Sequence, residues 1–204
     1  AILREHIQKC KKATNKPFGV NVPMLYPEIE LDLILEATHQ PITKLLSHDI
    51  DIALVTSKPT DESLCSVEVF DDEILAVLHR ENSLSEADFV DAAGLAESHL
   101  IIHSFPLETV SVHQYYLSPN KITPKKITAI PLTEVALEMV NANMGVMCMP
   151  KWALQSFKLS EDLVFKKIGL HGLKRTHYLV FRAVDQYKKY INDFVLNFKE
   201  DFQS

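Results

Sequence analysis

The stretch from 36 to 57 constrains the fold most, because it fits a single strand–helix–strand unit. Pro41 suits the first turn of a helix, where its missing N–H group costs no hydrogen bond, and Ile42 and Leu45 then share one helical face. The run at 50–55 is apolar almost throughout, which is typical of a parallel strand covered on both sides. We therefore expect an α/β fold in which helices cover a sheet.

The same pattern recurs further along the chain. A strand predicted at 100–103 is followed by Pro106, a helix at 107–117 and a strand at 126–130, so we expect two similar Rossmann-like lobes. Further strands are predicted at 67–70, 74–78, 146–149, 163–168 and 177–184, and further helices at 85–98, 132–143, 150–157 and 187–202. The acidic run at 71–73 is interpreted as a solvated turn between two of these strands.

Composition and charge exclude several classes of protein. The 204 residues are 47% hydrophobic and 24% charged, as in an ordinary globular protein, and the net charge of −6 argues against this chain gripping nucleic acid by itself. Cys10, Cys65 and Cys148 are widely spaced, so the sequence predicts neither a disulfide framework nor a zinc site and fits a reducing cytoplasm. Cys148 lies in an apolar run and is interpreted as an inert thiol. No run approaches the roughly 18 apolar residues of a membrane span, so no membrane association is expected.

The turns after the first strand of each unit carry candidate ligand-binding residues. They are Thr38, His39 and Gln40 in the first turn and His103, Ser104 and Phe105 in the second. Open α/β sheets bind ligands just past the carboxyl ends of their strands, so two facing lobes would place these turns across a cleft. Backbone N–H groups at the helix starts would suit a small ligand that carries a carboxylate. The same residues equally fit a purely local role as helix caps and hydrogen-bond partners.

The motifs that mark common enzymes are absent from the sequence. It contains no Gly-x-Ser-x-Gly elbow, dinucleotide or phosphate loop, or His-Glu-x-x-His motif, and five glycines leave little room for cofactor loops. His103 and Ser104 are adjacent in an extended segment, so they point to opposite faces and form no dyad. His171 and His177 lack a carboxylate or cysteine partner for a metal ion. We therefore predict a protein without a catalytic site, cofactor or metal.

Four stretches of sequence carry a family resemblance. They lie at 26–33, 36–57, 69–78 and 139–152. Together they resemble the effector-binding domain of LysR-type transcriptional regulators over about residues 26–204. Glu-Ala-Thr-His at 36–39, with Gly-Val-Met-Cys-Met-Pro-Lys-Trp at 145–152, is similar to the methionine-biosynthesis regulators of that family, whose co-effector is homocysteine.

The resemblance implies two lobes arranged as in type 2 periplasmic binding proteins, with lobe I at 26–78, lobe II at 79–176, and a return strand and C-terminal helix at 177–204. Carried over by position, the two turns line an effector cleft, together with Met149 and Pro150 after a later strand. The implied partners are a small effector such as homocysteine and a second copy of the chain, in a homodimer or tetramer. DNA would be bound only through a winged helix-turn-helix domain that this chain lacks. The implied location is the cytoplasm.

The first 25 residues depart from the family pattern. They are predicted to form an atypical helix–strand segment, with a helix at 1–14 and a strand at 18–22, whereas the family opens with a strand. Residues 1–30 resemble part of the flavin-dependent nitronate monooxygenases, in which Asn21 would lie near the flavin. About 30 residues cannot supply a barrel enzyme of ordinary size, so flavin chemistry is not expected. A transporter-type solute-binding protein and, less favoured, a flavin-dependent enzyme fragment remain as alternatives.

Overall fold

The computed structural model describes residues 41–203. Its helices are α1 (Pro41–Leu46), α2 (Ala92–Glu97), α3 (Thr133–Asn141), α4 (Lys151–Leu154) and α5 (Lys189–Gln203). Its strands are β1 (Ile52–Val55), β2 (Leu64–His79), β3 (Phe89–Val90), β4 (His99–Ile102), β5 (Lys126–Ala129), β6 (Val146–Pro150), β7 (Leu163–Ile168) and β8 (Leu173–Arg182). Short 3₁₀ turns lie at Ser83–Glu86, Leu107–Thr109 and Ala183–Asp185, and a π-helical turn lies at His113–Leu117.

These strands form one mixed sheet in the order β1-β8-β2-β6-β4-β5, while β7 pairs with β2 and β3. Strand β4 is the centre of a parallel group, because Ile101 lies opposite Thr128 of β5 and Met147 of β6 in parallel register. Strands β1 and β6 to β8 make antiparallel pairs with their neighbours β8 and β2. The parallel group β5-β4-β6 therefore ends at one edge of the sheet.

Strand β2 is unusually long, at 16 residues. It pairs with β8 over its first part and with β6 and β7 from Ile74 onward, with a bulge between Glu68 and Phe70. The prediction of two strands around an acidic turn at 71–73 was therefore wrong. The three acidic residues have cross-strand partners in β8, namely Asp71 with Thr176, Asp72 with Arg175 and Glu73 with Lys174. Opposite charges across a ladder stabilise a sheet, which explains why the acidic run stays in the strand.

The parallel part of the sheet is buried on both faces. In β4, Leu100 and Ile102 pack in one core cluster, while Ile101 between them packs in another. In β2, Ala76 and Val77 divide between the same two clusters. The first cluster lies against α2 and the π-helical turn, and the second lies against α3 and α4. Alternating side chains thus enter opposite layers, as expected where helices cover both faces.

Strand β1 packs differently from the parallel group. Its Ala53 and Val55 lie in a cluster with Leu45 of α1 and Val180 of β8. Leu54, between them, is 40% exposed, so the apolar run does not reflect full burial on both sides. The predicted parallel pairing of this strand with an earlier one lies outside the described residues, as do the predicted helix and strands before residue 41.

Arg182 at the end of β8 contacts the segment before β1 and the turn before α5. Its side chain is 6% exposed. Nη1 donates hydrogen bonds to the carbonyl oxygens of Leu45, at 2.8 Å, and Ile50, at 2.7 Å. Nη2 donates to Oδ1 of Asp51 and Nε to Oδ2 of Asp185, both at 2.5 Å. One guanidinium therefore joins the end of α1, the approach to β1 and the turn before α5.

Most other predicted elements are confirmed. The helices α1, α3 and α5 and the strands β4 to β7 lie within a few residues of the predicted bounds, and β8 begins four residues before its predicted start at 177. The predicted helix at 85–98 is shorter and is preceded by a 3₁₀ turn and β3, and the helix at 107–117 is divided into two turns. Among the described helices, none has both the length and the apolar character needed to span a bilayer.

Candidate functional site

Three parallel strands end at one edge of the sheet, which we call the carboxyl edge. The turn at 103–106 follows β4, residues 130–132 follow β5, and α4 follows β6. Large apolar side chains remain exposed in these segments, and such groups mark binding surfaces when they gather. They are Phe105 (58% exposed), Leu132 (65%) and Trp152 (45%), and Val135 (46%) is exposed nearby in α3. The carboxyl edge therefore presents apolar and aromatic groups next to polar turns.

The predicted site residues have different surroundings. His103, Ser104 and Phe105 are exposed in the turn after β4, at the carboxyl edge. The side chain of Met149 is buried in the core against α3, whereas Pro150 is half-buried at the end of β6. The other three predicted residues, Thr38, His39 and Gln40, lie outside the described residues.

His103 links two turns of the carboxyl edge. Partial burial lowers the pKa of its imidazole, and a hydrogen bond with the backbone of Ile130 opposes that shift. Ile130 in turn donates its backbone N–H to the carbonyl oxygen of Ile102, at 2.8 Å. The neutral ring offers one donor and one acceptor at neutral pH, and the segments after β4 and β5 are fixed together.

A buried ion pair lies beside this edge, where β2 and β8 pair. Asp72 and Arg175 are opposite each other in the two strands, and their side chains are 3% and 13% exposed. Nε and Nη2 of Arg175 each lie 3.4 Å from Oδ2 of Asp72, and Nη1 donates to Oγ of Ser111 at 3.2 Å. The backbone N–H of Trp152 donates to Oδ1 of Asp72 at 3.3 Å. The pair therefore contacts the segment after β4 and the helix after β6.

His177 is two residues from Arg175 in β8, on the same face of the strand. Its ring stacks on Phe70 with centroids 4.2 Å apart, and Trp152 meets it edge-on at 6.4 Å. Burial and the positive charge of Arg175 lower the pKa of His177 to about 4, and Asp72 opposes the shift. The imidazole is neutral at pH 7. It is 3% exposed, and its Nδ1 has no hydrogen-bond partner within residues 41–203.

A shallow depression of about 360 Å³ adjoins the ion pair. It is lined by Asp71, Asp72, Glu73, Lys151, Trp152, Gln155 and Lys174. Its volume is near the lower end of the range for small-molecule sites, and its lining combines acidic, basic and aromatic groups. Such a lining suits a small molecule with charges of both signs better than an apolar one.

The ion-pair cluster was missed by the sequence analysis. The sequence pattern places Asp72 in a solvated turn and indicates no role for Arg175 or Ser111. One signal was present: the acidic run at 71–73 has a matching basic pair at 174–175. Opposite charges that face each other in neighbouring strands favour the pairing of those strands. Within residues 41–203, no group of three or more metal-ligating side chains comes together.

Comparison with known proteins identifies the family. The profile of the LysR substrate binding domain matches residues 24–203. The HTH-type transcriptional regulator MetR of Haemophilus influenzae is 24% identical over 166 residues, which are 81% of this chain and 53% of the relative. This chain thus spans about half the length of the curated relatives it matches.

Solved structures agree on the fold. The regulatory domain of MetR from N. meningitidis superposes with a TM-score of 0.80 at 21% identity, over 97% of this chain and 86% of that one. The effector-binding domain of BenM, solved with its effector benzoate, gives a TM-score of 0.70 at 18% identity, over 99% and 86%. The expected α/β fold of the type 2 periplasmic binding protein kind is confirmed.

The family assignment bears on whether the chain is expected to be an enzyme. Its members are transcriptional regulators and not enzymes, in agreement with the prediction made from the missing catalytic motifs. The resemblance to LysR-type regulators, and to their methionine-biosynthesis subgroup, is confirmed by the match over 24–203 and by the MetR relatives. The chain belongs to the family of LysR substrate-binding domains.

Proposed function

We propose that this domain senses a homocysteine-like sulfur amino acid in a cleft between two lobes and thereby controls DNA binding by a LysR-type regulator. One observation carries the proposal: the apolar carboxyl edge and the buried Asp72–Arg175 pair meet at Trp152, which belongs to both. A sulfur amino acid has matching parts, because its charged head needs polar partners and its side chain needs apolar contact. The resemblance to methionine-biosynthesis regulators, whose co-effector is homocysteine, supports this choice of effector class.

The proposed cleft has one wall at the carboxyl edge of lobe II. His103, Ser104 and Phe105 are exposed there, and Pro150 lies at the end of β6. Thr38 to Gln40 are proposed as the opposite wall in lobe I. The lobe bounds remain as proposed from the sequence, with lobe I at 26–78, lobe II at 79–176 and the return strand and C-terminal helix at 177–204. The parallel group β5-β4-β6 falls within the second of these ranges.

The same proposal includes the DNA-binding domain, the oligomeric state and the location of the regulator. A winged helix-turn-helix domain binds DNA, the sensing domain assembles as a homodimer or tetramer, and the protein works in the cytoplasm. The relatives are named as HTH-type regulators and are about twice as long as their matched parts. The net charge of −6 fits a chain that leaves the phosphate contacts to another domain.

Titration with L-homocysteine tests the proposed effector. Trp152 is the single tryptophan of the chain and is 45% exposed, so a ligand that covers it should shift its emission to shorter wavelength. Ligand at 100 times its Kd should add about 2.7 kcal/mol to the free energy of unfolding, which raises Tm by about 5 to 10 °C.

Two controls make the titration specific. L-alanine has the same charged head without the sulfur side chain and should cause a smaller shift. The Trp152→Phe variant should keep most of the thermal stabilisation while losing the fluorescence signal. If millimolar homocysteine changes neither the emission nor Tm of the wild-type domain, the proposed effector is wrong.

A further inference from the structure

We infer that Arg175 anchors the carboxylate of the effector, with Ser111 as a second contact and Asp72 as the residue that positions the guanidinium. The inference rests on the proposed function, since it adds a named contact to the same effector site. Its evidence is the geometry of β2, β8 and the segment just before the π-helical turn.

The guanidinium of Arg175 is only partly used. An arginine side chain carries five N–H groups in a planar fork. Two of them face Oδ2 of Asp72, from Nε and Nη2, and one from Nη1 faces Oγ of Ser111. Within the described part of the chain, one N–H group on each terminal nitrogen is left without an acceptor. A guanidinium can hold a carboxylate through paired hydrogen bonds from two of its nitrogens, so these remaining N–H groups suit a carboxylate ligand.

The existing contacts leave the buried charge incompletely compensated. Their donor–acceptor distances of 3.2 to 3.4 Å are at the long end for hydrogen bonds. Burial lowers the pKa of Arg175, and Asp72 offsets this only in part. A second anion would therefore stabilise the guanidinium, whose side chain is 13% exposed and lies beside the depression that Asp72 lines.

A second unsatisfied group lies in the same cluster. Nδ1 of His177 has no hydrogen-bond partner among the described residues, although the side chain is 3% exposed. Its ring lies between the aromatic groups of Phe70 and Trp152. A polar group of a ligand bound at Arg175 would give this nitrogen a partner, while the aromatic rings would contact the ligand's sulfur and methylene groups.

Calorimetric titration of the whole chain with three probes tests the inference. L-homocysteine carries both charged groups, 4-mercaptobutyrate lacks the amino group, and 3-aminopropanethiol lacks the carboxylate. We expect the wild-type domain to bind the first two and not the third. Arg175→Gln should weaken homocysteine binding by at least about 30-fold, because one partner of a desolvated charge pair is removed. The matched control Arg80→Gln, in an exposed ion pair with Asp162, should bind like the wild type.

The double variant Asp72→Asn with Arg175→Gln is the control for misfolding of the single variant. This double variant replaces the buried ion pair by two neutral amides, so no unpaired charge remains. Unchanged homocysteine affinity in Arg175→Gln or in the double variant overturns the inference and leaves the proposed function standing. Binding of 4-mercaptobutyrate that depends on Arg175, without binding of homocysteine, supports the inference and overturns the proposed effector. If the wild type binds none of the three probes, both are wrong.

Discussion

Replacing Arg182 by methionine should strongly destabilise the domain. Methionine keeps much of the aliphatic volume but removes hydrogen bonds to two backbone carbonyls and two carboxylates. One of those carboxylates, Asp185, is 4% exposed and would retain only the ion pair that the structure shows with Lys188. Breaking a buried pair of this kind costs about 3 to 5 kcal/mol, and for a chain of this length Tm should fall by roughly 10 °C.

Urea unfolding followed by circular dichroism measures this change at 25 °C and pH 7. The matched control is Arg80→Met, which makes the same substitution in an ion pair whose side chains are 58% and 41% exposed. That control should cost less than about 1 kcal/mol. If Arg182→Met costs no more than the control, the four contacts of Arg182 do not stabilise the fold and the reasoning fails.

Three further variants or measurements test other parts of the structure. Gly145→Ala would place a Cβ atom 2.5 Å from the carbonyl oxygen of His99, so the free energy of unfolding should fall by about 1 to 3 kcal/mol, whereas Gly94→Ala meets the ends of the Leu84 and Asp91 side chains, which can move, and should cost less. Equal urea midpoints for these two variants would contradict this explanation. Burial raises the pKa of Cys148 to about 12, so iodoacetamide at pH 8 should label it only after unfolding, and rapid native labelling detected by mass spectrometry would refute its inert environment. The pKa of His177 falls from 6.5 in the unfolded chain to about 4 in the folded one. The contribution of neutral His177 to the free energy of unfolding is therefore fully present above pH 6.5 and is lost as the pH falls toward 4. Wild type should lose about 1 to 2 kcal/mol more than His177→Phe between pH 7 and 5 in urea unfolding, and identical losses would refute the assignment.

Local pattern predicted the parallel part of the fold well. Strand β4 has apolar residues at every position after His99 and is buried on both faces, so its pattern and its surroundings agree. The helix predicted at 107–117 was divided because Val110 leaves the helical conformation, with ψ of 119°. A β-branched residue such as valine adopts the extended conformation readily. The spacing of apolar residues does not show whether Val110 is helical or extended.

The candidate site was only half predictable. Position after a parallel strand was enough to find the turn at 103–105, because the carboxyl edge follows from topology. The ion-pair cluster depends on residues far apart in sequence: Arg175 is 103 positions from Asp72 and 64 from Ser111. Before the register of β2 against β8 is known, an acidic run in a strand looks the same as a solvated turn. The acidic run stays in β2 because basic and polar residues of β8 lie opposite it, and the composition of the run does not reveal those partners.

The sharing of β2 between two parts of the sheet has a mechanical consequence. It pairs with β8 along its first part and with β6 and β7 along its last, so these parts are joined by a hydrogen-bonded ladder and not by a single flexible loop. Rotation of one part against the other must twist this two-stranded ribbon, spreading a large rotation over many small changes in dihedral angle. The bulge between Glu68 and Phe70 interrupts the ladder, and bulges of this kind bend the strand and increase its local twist. A change of twist spread along β2 in this way would leave the backbone hydrogen bonds of the ladder intact.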